Sequence, residues 1–491
     1  MDTFSEKLFD KSGYILLTEY IEDINNMKKN SLWILPLGIG DRIQLMISSL
    51  FVRFSWLKEL LYVSYPYSWS PSYNILLLFL YKNKIFDLVA EKNEPYNGYY
   101  SFFLTKKMFN GRTLSGQGVS KSRSIAMSKA IGEMIERYIS SYRDMNKDTV
   151  QLSSKEIAQK YPIIYPPKYH NFSDIQKQKH KELRHLPTDV IAWVKGVNLI
   201  TKEYAYIPRQ LTSWFYINTN IERIISSFTS NGSAGYFTKE GAVLRGILEV
   251  VQRDAFLVHW LTKTQPSRIL EDSLPEELQG LVRMFTSRGL SIYILDITAI
   301  QIPTVCVIGI SEQADEPMIV VSASSAVTMY RAINNALEEM IISSEVLRSP
   351  KIDGELDSEN HFSLNKRGRQ IYWRGKEKIE KMKWFVTGPV ISYQDVCKID
   401  LKCENGDESH LDACLSILES LGNDYFPVVY YPKNSLQEKL GFYIAQVFIP
   451  KAFPLYLEEK YATFNSERLQ EFAVSINNLN WKLNTDPHMF S

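Results

Sequence analysis

The stretch Ala130–Tyr138, AIGEMIERY, sets two carboxylates and an arginine among aliphatic side chains. Glu133 and Arg137 stand four residues apart and can pair along one helix face, so an intrahelical ion pair is the plainest reading of the segment. Two partial echoes occur later: GILEVVQRD from Gly246 and ALEEMIISS from Ala336. In all three stretches a small residue and an aliphatic residue precede a glutamate by three and two positions, and two apolar residues follow it. The glutamates are Glu133, Glu249 and Glu339. Their separations are too long and too unequal for a solenoid repeat. Two readings remain: unrelated amphipathic helices with solvated glutamates, or helices that converge on one site.

The second reading has a chemical rationale. A glutamate flanked by Met134 and Ile135, or by Val250 and Val251, lies at the edge of a buried helix face, where an unpaired carboxylate is costly. It needs a cation. Packed around one site, such carboxylates share hard divalent ions, which prefer oxygen ligands; Mg²⁺ in turn neutralises nucleotide phosphates. Glu133 with Glu136, and Glu249 with Gln252, have the i,i+3 spacing that turns both side chains of a pair toward one ligand. Arg137 and Arg253 are then available for phosphate oxygens or for holding the carboxylates.

Composition narrows the class. The 491 residues carry 56 Lys+Arg against 55 Asp+Glu, a net charge of +1, which does not favour nucleic acid as a partner. Cys306, Cys397, Cys403 and Cys414 lack both the density of a disulfide framework and the close pairing of a zinc ribbon, and read as reduced thiols of a cytoplasmic protein. The start, MDTFSEKLFD, has no basic region followed by an apolar run, so export is not expected. SLWILPLGIGDRIQLMISSLFVRF is interrupted by Pro36, Asp41 and Arg42, and NILLLFLY is far shorter than the roughly 20 residues a bilayer requires. Both read as core elements, and no membrane partner is expected.

Residues 1–95 form an aromatic and aliphatic region without a chemical motif, a candidate docking domain; residues 96–491 read as one mixed α+β domain with several sheets. LSGQGVS precedes a helix expected over about 120–141, and its Gly116 and Gly118 suggest a turn that lets backbone approach a phosphate. LPEELQGLVRMFTSRG reads as a helix, followed by the strands SIYILDIT, PTVCVIGI and PMIVVSAS. SHLDACLSILESLG and FPVVYY form another helix–strand pair. The charged stretch from Lys351 to Lys383 reads as an insertion or a surface loop.

The distribution of these motifs resembles the YcaO proteins, ATP-dependent enzymes that activate peptide backbone amides. SGQGVSKSRSIAMSKAIGEMIERY is similar to the first nucleotide-binding segment of that family. SNGSAGYFTKEGAVLRGILEVVQRDAFLVHW resembles the second and YRAINNALEEM the third, while WVKGVNLITKEYAYIP and LDITAIQIPTVCVIG look like connecting strands. The resemblance implies helices converging on an ATP and Mg²⁺ site. It implies that Glu133, Glu136, Glu249 and Gln252 are metal ligands and that Arg137, Asn231, Arg253, Arg331 and Glu339 belong to the nucleotide shell. Four positions depart from the pattern: Gln252 replaces a glutamate, Lys129 a small residue, Gly241 the second member of an acidic pair after Glu240, and Ile342 a glutamine. These departures keep open a weakened ATP site or a noncatalytic scaffold subunit.

The chain ends NTDPHMFS. Azoline-forming members resemble one another in a terminus close to PHPFP, of which Pro487, His488 and Phe490 are retained here. The resemblance implies that Pro487, His488 and Ser491 enter the active site, with the Ser491 carboxylate assisting proton transfer; His259 and His488 are alternative bases. It implies cyclodehydration of Cys, Ser or Thr in a ribosomally made precursor peptide, as in thiazole/oxazole-modified microcins. Thioamidation and macroamidine formation are the alternative reactions. A separate E1-like partner that binds the leader peptide is expected, and an FMN dehydrogenase is a candidate further partner.

Overall fold

The structure is a computed structural model that describes residues 14–16, 80, 83–96, 98–108, 113–141, 149–212, 222–226, 229–311, 318–347, 369, 372–432, 437 and 440–490. Most of the 1–95 region, the apolar segment from Ser31 to Phe54, residues 351–368 and Ser491 lie outside the described residues. The chain forms two compact units. The first comprises 1–139, 235–237 and 433–443, and the second 140–234, 238–432 and 444–491.

The first unit is built on an antiparallel sheet in the order β1 (Tyr14–Leu16), β2 (Leu88–Tyr96), β3 (Tyr99–Lys107) and β4 (Thr113–Ser120). Residue 95, the expected domain boundary, thus falls within β2. Helix α1 (Arg123–Ser141) follows β4. It buries Ala126, Met127, Ala130, Ile131, Met134 and Ile135 at helical spacing, leaving Lys129, Glu133, Glu136 and Arg137 along its wetter flank. Gly116 and Gly118 do not form a turn; they belong to β4, where Leu114, Gly116 and Gly118 alternate inward. Their role is close approach. A Cβ at Gly116 would stand 2.4 Å from the Ala130 carbonyl oxygen, and one at Gly118 2.0 Å from that of Ala126. Glycine signals both turns and tight strand–helix contacts, and here the second cause operates.

In the second unit, β5 (Thr149–Ser153), β6 (Val190–Asn198), β13 (Val428–Tyr430) and β14 (Tyr443–Phe448) lie side by side in that order, with β7 (Tyr204–Pro208) also on β6. A second sheet has the order β11 (Met318–Ser325), β10 (Thr304–Ser311), β9 (Ser291–Asp296), β8 (Ser267–Ile269), β12 (Val390–Ile391). Only its β8–β12 pair is parallel. Helix α2 (Lys239–Leu261) starts at Thr238, whose hydroxyl accepts the Gly241 N–H at 3.1 Å. Its Ala255, Phe256 and Trp260 share one core with Cys306, Ile308 and Ile310 of β10 and Ile319 and Ala323 of β11. Strand alternation points the intervening residues the other way. There Ser322 donates to the Ala336 carbonyl of α4 (Met329–Leu347) at 2.7 Å, and Gly309 faces Met340. The second sheet is thus covered by α2 on one face and α4 on the other, with α3 (Glu276–Thr286) packed on β9 and α4.

The charged stretch from Lys351 to Lys383 is not a surface loop where it is described. Arg369 and Trp373 are buried, and α5 (Lys376–Val386) buries Ile379, Met382, Phe385 and Val386 in the α2 core. The lysines and glutamates between them conceal this narrow apolar stripe in the sequence. Helices α6 (Asp407–Ser420), packed on α2, and α7 (Glu467–Ser475) complete the unit. No helix among the described residues is long and apolar enough to cross a membrane.

Two expectations follow. Gly118→Ala places a methyl group against a backbone oxygen that cannot swing aside, and should lower stability by about 1–3 kcal/mol in a denaturant titration; an unchanged midpoint would contradict the packing. Burial, with a smaller contribution from Arg468, lowers His170 to about 3, and burial lowers His259 to about 4. Both values lie below that of an unfolded histidine, so the stability they confer is present above pH ~6.5 and is lost as pH falls through ~6.5 toward ~4. Each should cost about 2 kcal/mol by pH ~5, and urea midpoints at pH ~5 and ~7.5 test the sign.

Candidate active site

In the first unit the plain reading of AIGEMIERY holds. Arg137 pairs with Glu133 one turn before it, with the two side chains partly buried. Glu133 Oε2 also accepts the Gln117 N–H at 2.6 Å, and Arg137 Nη1 donates to the Ser115 carbonyl and hydroxyl at 2.5 and 3.0 Å. The carboxylate is therefore oriented by β4 backbone on one side and a guanidinium on the other. Glu136 lies on the same half-buried flank, one turn along. Lys129 reaches the Val119 carbonyl at 3.0 Å, which ties it to the end of β4.

In the second unit the Glu249–Arg253 pair repeats this spacing more loosely, with 3.7 Å between Nη2 and Oε1. Gln252 beside it is buried. Arg253 Nε and Nη1 are shielded from water and have no hydrogen-bond partner among the described residues. Unpartnered buried donors on a cation are costly, and an anionic oxygen would satisfy them. Over this guanidinium lies the Phe490 ring, 4.3 Å from its carbon. The tail is therefore packed as far as Phe490.

His488 is fully buried; its Nε2 donates to the Tyr456 carbonyl at 2.7 Å. Burial first, then Arg369 and Arg253, hold it well below the usual histidine range, so it is neutral. His259 is likewise packed, donating to the Ala255 carbonyl at 2.8 Å and lying against Phe472. Neither histidine is a solvent-facing base in this arrangement. Ser491 lies outside the described residues.

The remaining candidates are more scattered. Asn231 belongs to a turn in which Gly232 has φ +75°, and a Cβ on Gly232 would stand 2.1 Å from the Val447 carbonyl oxygen, so the glycine serves backbone packing. Asn231 Oδ1 is buried without a partner beside a cleft of about 60 Å³, lined also by His170, Val250 and Val447. Arg331 and Glu339 are exposed on α4, across the sheet from α2. Of the departing positions, Gly241 takes the helix-capping bond and Ile342 is half-buried on α4.

Sequence reasoning overlooked Asp254, the residue after Arg253. Its buried carboxylate accepts the Phe453 N–H at 2.7 Å and pairs with Arg468 at 2.6 Å, anchoring α2 away from the flank of Glu249 and Arg253. It also overlooked Trp260, in the apolar run that ends α2, and Arg369 and Trp373, for which the signal was an aromatic residue inside a charged stretch.

The donors of each unit suit part of a metal nucleotide: in the first, Glu133 and Glu136 are hard oxygen donors of the kind Mg²⁺ prefers, and in the second Glu249 and the Gln252 carbonyl are of the same kind, beside Arg253 donors that suit phosphate. Among the described residues no three His, Cys, Asp or Glu side chains cluster as a self-contained metal site. Mg²⁺ commonly keeps few protein ligands and completes its shell with phosphate and water.

Three solved structures are similar in fold. A heterocyclase in complex with substrate and cofactor matches with TM-score 0.65 and 19% identity, over 80% of this chain and 53% of that one. YcaO from Methanopyrus kandleri bound with AMPPCP and Mg²⁺ matches with TM-score 0.58 and 15% identity, over 85% and 94%. A chain of the E. coli microcin synthetase McbBCD complex matches with TM-score 0.51 and 13% identity, over 82% and 96%. The chain spans about half the length of the first heterocyclase. A search of curated protein sequences finds no match. Residues 115–452, well over half the chain, match the model described as YcaO cyclodehydratase, ATP- and Mg²⁺-binding, and the chain belongs to the YcaO family.

Proposed function

We propose that the protein is an ATP- and Mg²⁺-dependent cyclodehydratase that converts Cys, Ser or Thr residues of a ribosomally made precursor peptide into thiazoline or oxazoline rings. The observation that carries this reading is Arg253: a half-buried guanidinium with two water-shielded donors that no described residue accepts, beside Glu249 and Gln252 and covered by Phe490.

In this reading the substrate side chain attacks the preceding amide carbonyl, and the resulting hemiorthoamide oxygen must leave. Bound Mg·ATP supplies the phosphoryl group that makes this oxygen a good leaving group, and loss of phosphate with the amide N–H proton forms the C=N bond. Glu133, Glu136, Glu249 and Gln252 are assigned to holding Mg²⁺. Arg253 neutralises phosphoryl charge, with Arg331 and Asn231 as further nucleotide contacts and Glu339 on α4 as an outlying one. Arg137 orients Glu133 by the ion pair described above. The tail through Pro487 and His488 carries the Ser491 carboxylate toward the substrate as the base. His488 acts through packing, because a neutral, fully buried imidazole cannot exchange protons with substrate.

We assign leader-peptide binding to a separate E1-like partner, in keeping with the multi-chain McbBCD complex to which one fold neighbour belongs, with residues 1–95 as the docking region. An FMN dehydrogenase would complete azole formation. The assembly is placed in the cytoplasm.

Incubating the purified chain with partner, precursor peptide and Mg·ATP should remove the mass of one water per ring. Glu249→Ala should abolish this loss, and Arg253→Met should slow it by about 100-fold or more. Binding of ATP without a mass change would replace the enzyme with a scaffold, and a sulfide-dependent mass gain would replace cyclodehydration with thioamidation.

A further inference from the structure

The tail is gripped by its backbone. Trp260 Nε1 donates to the Asp486 carbonyl at 3.0 Å, Trp373 Nε1 to that of Pro487 at 3.1 Å, and Arg369 Nη1 to that of His488 at 3.2 Å. Three consecutive carbonyls meet three side-chain donors drawn from α2 and from the segment before α5. Buried carbonyls must find donors, and here neither a strand nor a helix supplies them.

The donors are themselves fixed. Trp260, Trp373 and Arg369 are each at most 2% exposed. Arg369 also donates to the Leu457 carbonyl at 2.8 Å and pairs with Glu459 at 2.8 Å. Trp260 packs against Trp373, Trp384 and Phe385. Just upstream, the Asn484 N–H donates to the Leu261 carbonyl at 2.7 Å and its Nδ2 to that of Trp260 at 3.2 Å, which sets where the tail enters. Downstream, Phe490 lies 4.9 Å from Phe256 and covers Arg253.

We propose that Trp260, Trp373 and Arg369 form a receptor for this chain's own C-terminal peptide, one that reads carbonyls and fixes the register at which Phe490 meets Arg253. They are positioning residues: they touch the tail, not the reacting atoms. The receptor accounts for the altered terminus. Met489 and Ser491 stand where the resemblance has prolines, and proline differs from them in lacking an N–H, not a C=O. A receptor that uses only C=O groups is indifferent to that change, whereas a shift of one residue would misplace His488 and Phe490 together. The catalytic consequence of docking rests on the proposed function; the docking itself does not.

The test is carboxypeptidase digestion of the folded full-length chain, followed by mass spectrometry, with thermal midpoints measured alongside. The wild type should resist digestion at Phe490 and inward. Trp373→Phe, which keeps an aromatic ring but removes the donor, should speed digestion there about five- to tenfold through a larger open fraction of the tail, beyond what its lowered midpoint accounts for. Arg369→Lys should act in the same direction and serves if Trp373→Phe does not fold. Lys381→Met removes the contact to the Asp486 carboxylate, which lies 2.5 Å from Nζ, and a long one to the Tyr372 hydroxyl, leaves the three carbonyl donors in place, and should digest like the wild type. Equal rates in wild type, Trp373→Phe and Arg369→Lys overturn the receptor, as does acceleration confined to Lys381→Met. Faster digestion with wild-type kcat leaves the receptor standing and removes the tail from the proposed chemistry; faster digestion with reduced kcat and unchanged KM for ATP supports both.

Discussion

A helix buried along most of its surface has to satisfy each polar side chain it carries, and α2 meets that constraint on every face but one. Asp254 is closed off by Arg468 and the Phe453 N–H. His259 is closed off by the Ala255 carbonyl and held neutral. Beside Glu249 and Gln252, two guanidinium donors of Arg253 lack acceptors among the described residues. The uneven satisfaction of one helix thus marks the candidate flank more sharply than the cleft at Asn231 does. The cleft at Asn231 lies along Val250, the next residue around the helix, and is mostly apolar.

The tail and the helix form one arrangement. Phe490 covers the Arg253 guanidinium, Phe256 supports Phe490, and the Trp260–Trp373–Arg369 donors set the register from which Phe490 is presented. A cation under an aromatic ring at 4.3 Å is favoured electrostatically, yet the ring offers nothing to the in-plane N–H groups. The arginine is therefore held in place and still able to take an anionic oxygen. The Arg369–Glu459 pair costs desolvation that its own attraction need not recover, and its value here lies in geometry, since it orients a donor toward the tail.

Helical period and strand alternation made α1, α2 and the strands β9 to β11 readable, and the i,i+4 ion pair at Glu133 was visible from spacing alone. GQG was not, because glycine carries no sign of whether it bends a chain or lets two elements touch; the Ala126 and Ala130 carbonyls that settle the question are remote in sequence. Helix α5 was obscured by its charge, since four buried side chains among lysines and glutamates resemble a solvated helix. The receptor role of Trp373 and Arg369 depends on a partner over a hundred residues away, a contact that no local pattern encodes. The opposite faces taken by α2 and α4 follow from strand parity, which becomes informative only once the packing is known.

The central claim is that the flank of α2 serves phosphorylation of a peptide amide oxygen. Its most direct test is to label the carbonyl oxygen of the residue preceding a reactive Cys or Ser in the precursor peptide with a heavy isotope and follow the label through the ATP-dependent reaction. The account predicts that the label appears in inorganic phosphate, in step with ring formation. Label released into water while unlabelled phosphate accumulates would contradict it.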